Sequence, residues 1–172
     1  LKYENMRWYL WGAYSLGYVN KDYEDVDKVL HTYRTHYDRR HNMNLMATYT
    51  AGSKHQWEIS ARWNFGTGFP FTKVSAFYEK LPYDNIYFDP YTESGYLGII
   101  YDELNTGQLP TYHRLDIDVK RKFYFTENVI LEADFSVTNV YDRQNIFYID
   151  IVSTEFIYQL PLMPSVGLTL SF

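Results

Sequence analysis

The chain has no cysteine, so it has neither a disulfide framework nor a thiolate-bound metal. It has no run near the roughly 20 apolar residues that a membrane-crossing helix requires. It also lacks a basic excess. Sixteen Lys and Arg stand against 21 Asp and Glu, and the net charge of −5 argues against nucleic acid held by phosphate neutralisation. No nucleophile elbow, phosphate loop or metalloprotease motif is present, so the chain is not expected to be an enzyme. The opening residues Leu1-Lys2-Tyr3-Glu4 contain no initiator Met and no charged, apolar leader. A mature chain, or rather a piece of a longer one, is expected from that. Mean hydropathy is −0.41, which does not exclude a membrane protein, because barrel strands dilute an apolar face with a polar one.

What the chain has in excess is rings. Aromatics make up 20% of its 172 residues, with 19 Tyr, 11 Phe and 4 Trp. They fall on a period of two, the repeat of a β-strand with unlike faces. From Met6 to Tyr18 one face reads Met6, Trp8, Leu10, Gly12, Tyr14, Leu16, Tyr18 and carries no charge. Five more such segments follow, at about 42–50, 56–66, 113–125, 129–141 and 165–172. In each, an apolar set such as Trp57, Ile59, Ala61, Trp63, Phe65 alternates with a polar one such as Gln56, Glu58, Ser60, Arg62, Asn64. Arg121 is the clear charged exception on an apolar face, near a strand end where it can snorkel. The expected fold is all-β.

The connections alternate in length. Short links lie near 51–54 and 126–128, and long ones at about 20–41, 67–112 and 142–164. Tight turns at one end and long loops at the other are the habit of antiparallel transmembrane β-barrels. Leu10, Leu16, Leu45, Ile59, Ile117, Val119, Leu131, Phe135 and Leu168 are then the expected lipid-facing residues, and the first and last strands are expected to pair outside this chain.

Several stretches carry a resemblance. Tyr37-Asp38-Arg39-Arg40-His41-Asn42, Gly66-Thr67-Gly68-Phe69-Pro70-Phe71-Thr72, Tyr112-His113-Arg114-Leu115-Asp116, Val137-Thr138-Asn139-Val140-Tyr141-Asp142 and Pro161-Leu162-Met163-Pro164-Ser165-Val166-Gly167-Leu168 occur in this order and end on Phe172. Together they resemble the C-terminal barrel segment of TonB-dependent outer-membrane receptors, over most of the chain. The resemblance implies that residues 1–172 form part of a single barrel domain, about six C-terminal strands of a barrel of about 22 strands. The plug domain would lie outside this chain. It implies a place in the Gram-negative outer membrane and a share in TonB-dependent uptake of a nutrient. The implied partners are the remaining strands and plug of the same receptor, the TonB complex through the missing N-terminal part, membrane lipid and a surface lipoprotein. It also implies that Phe172 is an assembly signal. The rival readings are a non-transporting outer-membrane barrel with a structural or adhesive role, and a soluble sugar-binding β-sandwich.

Three clusters are candidates for chemistry. His31, His36 and His41 recur at five-residue steps, a pattern that a loop can fold around a metal but that solvated imidazoles explain more simply. Asp116, Asp118, Glu132 and Asp134 share a face with Arg114, Lys120 and Lys122, which reads as a charge lattice rather than an acid pair. No metal or cofactor is expected. The longest connection interleaves tyrosines with carboxylates, and Tyr83, Tyr87, Tyr91, Tyr96 and Tyr101 are the candidate ligand contacts. Rigid rings offer contact area at little rotamer cost, and acids accept hydrogen bonds from hydroxyls or cations. Self-packing of those rings is the plainer alternative.

Overall fold

The computed structural model describes all residues except 83–86, 88, 90, 92, 93, 127 and 128. Fifteen strands follow in chain order: β1 (Lys2–Glu4), β2 (Trp8–Leu16), β3 (Asn20–Glu24), β4 (Leu30–Arg34), β5 (His41–Ala51), β6 (Trp57–Gly66), β7 (Pro70–Phe71), β8 (Val74–Lys80), β9 (Tyr96–Tyr101), β10 (Gly107–Gln108), β11 (Tyr112–Tyr124), β12 (Ile130–Thr138), β13 (Ile146–Ile149), β14 (Phe156–Tyr158) and β15 (Met163–Ser171). The fold is all-β, with antiparallel sheets and no helix among the described residues.

Two compact units divide the chain. One comprises 1–18, 39–68 and 110–172; the other comprises 19–38 and 69–109. The first unit is built on a seven-stranded sheet in the order β1-β2-β5-β6-β11-β12-β15. Every neighbour in it is antiparallel and is the next sheet strand along the chain. The six expected strands are all there, with ends shifted by up to three residues. A seventh, β1, pairs with the first half of β2 through a turn that the Asn5 side chain closes, accepting from Arg7 N at 2.9 Å and Trp8 N at 2.7 Å. The first expected strand therefore has a partner inside the chain. That turn lies at the same end as the links 52–56 and 125–129, so three short connections share one end. Gly52 takes a φ of 91° in the second of these links, a conformation that side-chain-bearing residues rarely adopt.

The long connections differ from expectation. They contain paired strands: β13 with β14 in the first unit, and β3 with β4, β7 with β10 and β8 with β9 in the second. The sequence gives these hairpins little contrast between faces. Asn20-Lys21-Asp22-Tyr23-Glu24 is polar on both sides and exposed throughout, so no period of two betrays it.

Register sorts the sheet into two unlike faces. One cross-strand row runs Leu10, Ala47, Ala61, Ile117, Val137, Pro164; the next runs Trp8, Tyr49, Ile59, Val119, Phe135, Val166. The opposite face reads Tyr9, Thr48, Ser60, Asp118, Ser136, Ser165, then Thr50, Glu58, Lys120, Asp134, Gly167. Among the described residues no Ala, Val, Ile, Leu, Met, Phe, Trp or Tyr side chain is buried. Phe135 is 49% exposed, Leu168 69% and Val166 73%. Among the described residues none forms a second layer that buries the apolar face. Six strands about 4.8 Å apart and ten residues high present on the order of 800 Å². A typical soluble monomer shows about 300–600 Å² in its largest patch.

Candidate functional site

Among the described residues the buried side chains, Pro70 aside, are the polar ones of Thr35, Asp38, Asn139 and Asn145. They sit where the chain leaves or rejoins its strands, and they explain the motif residues singled out in the sequence. Asn139 is fully buried and left-handed, with φ 54°. Its amide donates to Asp116 Oδ1 at 3.0 Å, and its Nδ2 donates to the carbonyls of Arg143 and Leu160 at 3.0 and 3.1 Å. Its Oδ1 accepts from Arg143 N at 3.0 Å. Asp116 Oδ2 holds Arg114 at 2.9 Å, and Asn145 bridges His113 N and O. One knot therefore ties the end of β12 to β11 and to the approach of β15.

Gly66 and Arg39 form a second landmark. Arg39 lies so close over Gly66 that a Cβ there would meet its Cδ at 2.7 Å, and Arg39 Nε donates to Thr67 O at 3.1 Å. In the second unit Asp38 is fully buried, accepting from Val19 N at 3.1 Å and Arg34 Nε at 2.9 Å. These landmarks are anchors at the strand-to-loop transitions. The sequence signal for them was their place at strand ends.

The polar face carries the charge lattice. Lys122 Nζ reaches Glu132 at 3.7 Å, and Thr48 Oγ1 and Ser60 Oγ are hydrogen-bonded at 3.0 Å. Register sets Lys120 opposite both Asp134 and Glu58. Cross-strand pairs of opposite sign are mutually supportive. The three histidines have separate partners: His31 binds Asp25 at 2.8 Å and stacks on Tyr23, His36 meets the edge of Tyr37, and His41 binds the Tyr14 hydroxyl at 2.8 Å. The hydrogen bond from His31, with backbone N–H groups beside it, holds the Asp25 carboxyl below the usual carboxylate range. No group of three or more His, Asp or Glu among the described residues converges as metal ligands.

Of the five candidate tyrosines, Tyr83 lies outside the described residues. Tyr87 and Tyr91 are 86% and 96% exposed. Tyr96 and Tyr101 are exposed at the two ends of β9. Five residues apart on a strand, they point to opposite faces. Tyr96 shares its face with Tyr78, whose ring lies against Gly98, and with Ile100; Tyr101 shares the other with Leu97 and Ile99. The hairpin β8–β9 thus offers two ring-bearing faces rather than one converging pocket. Sequence reasoning missed this pairing of β8 with β9, because Tyr96-Leu97-Gly98-Ile99-Ile100-Tyr101 is apolar on both faces and shows no alternation. Phe172 follows β15 and is almost fully exposed.

No protein-family model, curated protein or solved structure matches this chain.

Proposed function

We propose that this chain is a wall segment of a TonB-dependent outer-membrane receptor and contributes to import of a nutrient ligand. The observation that carries the membrane part is the uncovered apolar face. Six strands in register put Leu10, Leu16, Leu45, Ile59, Ile117, Val119, Leu131, Phe135 and Leu168 on one side, and among the described residues no apolar core lies behind them. A sandwich would cover that face with a second sheet. Hydrocarbon is the cover that fits one sheet with a charged opposite face. Aromatic rings near the face's two ends support the reading. Trp57 and Phe123 lie toward the short-turn end. Tyr14, Phe65 and Tyr141 lie toward the other, with Tyr141 hydrogen-bonded to His113 Nδ1 at 2.7 Å. Ten residues separate His113 from Phe123, about 25 Å of height once the strands tilt, which is the usual apolar band of an outer-membrane barrel.

The import part rests on the ordered motifs and on the hairpins carried by the long connections. In this reading the barrel closes with strands from outside the chain, and the polar face looks onto the lumen and plug. Expected topology is checked by surface proteolysis of intact cells that express the complete receptor. The connections 19–38, 69–109 and 143–160 should be clipped, while the turns 5–7 and 52–56 should be cut only after the outer membrane is permeabilised. Release of the receptor without detergent, or clipping of the short turns in intact cells, overturns the reading.

The tyrosine hairpin is the proposed recognition element. Alanine at Tyr87, Tyr91, Tyr96 or Tyr101 should leave barrel abundance unchanged. At least one of these variants should reproduce part of the growth defect that deleting the receptor gene causes. Wild-type growth from all four would remove the hairpin from recognition.

A further inference from the structure

Arg121 is the one Lys, Arg, Asp or Glu that the seven-stranded sheet places on its apolar face. Register sets it opposite Trp57 on β6 and Ala133 on β12, one row inside Phe123 at the short-turn end. Its guanidinium carbon lies 4.6 Å from the centre of the Trp57 ring and 4.5 Å from that of Phe123. The guanidinium has no carboxylate or hydrogen-bond partner among the described residues. A cation on an apolar face is costly unless something neutralises it. Two rings supply part of that through cation–π attraction. The rings meet the guanidinium carbon, and the fork of N–H donors has no acceptor among the described residues. That fork matches the paired oxygens of a phosphate, and at a membrane boundary it meets phosphate diesters.

We propose that Arg121, held by Trp57 and Phe123, is a binding site for the phosphate diester of a phospholipid headgroup in the leaflet on the short-turn side. This rests on the membrane-wall reading above. The lattice Lys122–Glu132 lies on the opposite face and does not compete for it. A free phosphate ion shares the same chemistry, so the two sources must be separated.

The test uses the complete receptor purified in detergent. Extraction of the wild type comes first: a receptor released without detergent would sink the membrane reading itself, before any lipid is added. Native mass spectrometry then follows retention of added phosphatidylglycerol, with inorganic phosphate alone in a parallel arm. Arg121→Gln should weaken the tightest-bound phosphatidylglycerol about tenfold, in line with one charge-assisted hydrogen-bonded contact. Arg121→Lys should fall between, because an ammonium keeps the charge but not the fork. Trp57→Leu keeps the charge and removes half of the cradle, and it should also weaken retention. Heat-modifiable migration of each variant reports that the barrel is assembled, and an unassembled Arg121→Gln leaves Arg121→Lys and Trp57→Leu to decide. Equal retention in the assembled variants overturns the site. Inorganic phosphate that displaces the lipid at millimolar concentration overturns its assignment to a headgroup.

Discussion

Arginine in place of Phe135 should cost the assembled receptor about 2–4 kcal/mol, the penalty for a cation on the lipid face near the bilayer midplane. Phe135 sits between Val119 and Val166, two cross-strand rows in from Phe123 and three from the row of Phe65. Its neighbour Ser136 faces the other way, beside Asp118 and Ser165. Ser136 is half-buried and hydrogen-bonded to Ser165 Oγ at 2.6 Å, but its side is polar, so Ser136→Arg should cost less than Phe135→Arg. Denaturant unfolding of the receptor refolded in lipid vesicles measures both. The pair discriminates sharply. If the apolar face met water, arginine at a half-exposed Phe135 would be close to neutral. If it met a second protein layer, the cost would persist in detergent micelles and in thin-bilayer vesicles alike. A lipid-facing site instead loses part of its penalty as the bilayer thins.

Depth on that face is what the sequence could not assign. Period two puts Leu131 and Phe135 on one face equally well, and nothing in their spacing tells which is central. Register does: Leu131 pairs with Phe123 and Leu170, one residue from the start of β12, so arginine there should cost less than at Phe135. The faces themselves were legible because one is apolar along every long strand, while the other is charged in β6, β11 and β12 and mixed or uncharged polar in β2, β5 and β15. Leu10, Ile59 and Ile117 fell on the expected side for that reason. β1 was missed because Lys2-Tyr3-Glu4 is too short to show alternation, and the hairpin β3–β4 because both of its faces are polar. The candidate tyrosines were legible as a composition, not as a geometry. Alternation along β9 separates Tyr96 from Tyr101, a fact that no count of tyrosines contains. Motif residues such as Asn139 and Asp116 were found by their order along the chain, while their role as buried polar partners emerged only from the hydrogen bonds they make.

Removing the Asn139 side chain should be the most damaging change among those anchors. Asn139→Ala strands Arg143 N and the carbonyls of Arg143 and Leu160, three groups that the amide now satisfies in a fully buried position. Each buried polar group left unpaired costs about 1–3 kcal/mol, less whatever water can recover. Alanine also lacks the short polar side chain that lets asparagine occupy a left-handed backbone by bonding locally, at about 1 kcal/mol. A loss of about 3 kcal/mol or more is expected. Asn139→Gly separates the two causes, since it accepts the positive φ and should recover about 1 kcal/mol of that loss while leaving the three groups unsatisfied. The consequence is local before it is global. Asn139 joins the end of β12 to Leu160, so the hairpin β13–β14 between them should become the first segment cut by protease, ahead of any change in the long sheet strands. Vesicle unfolding gives the magnitude, and limited proteolysis gives the place. If Asn139→Ala and Asn139→Gly were both within about 0.5 kcal/mol of wild type, the knot would be ornamental and the motif at 137–142 would need another explanation.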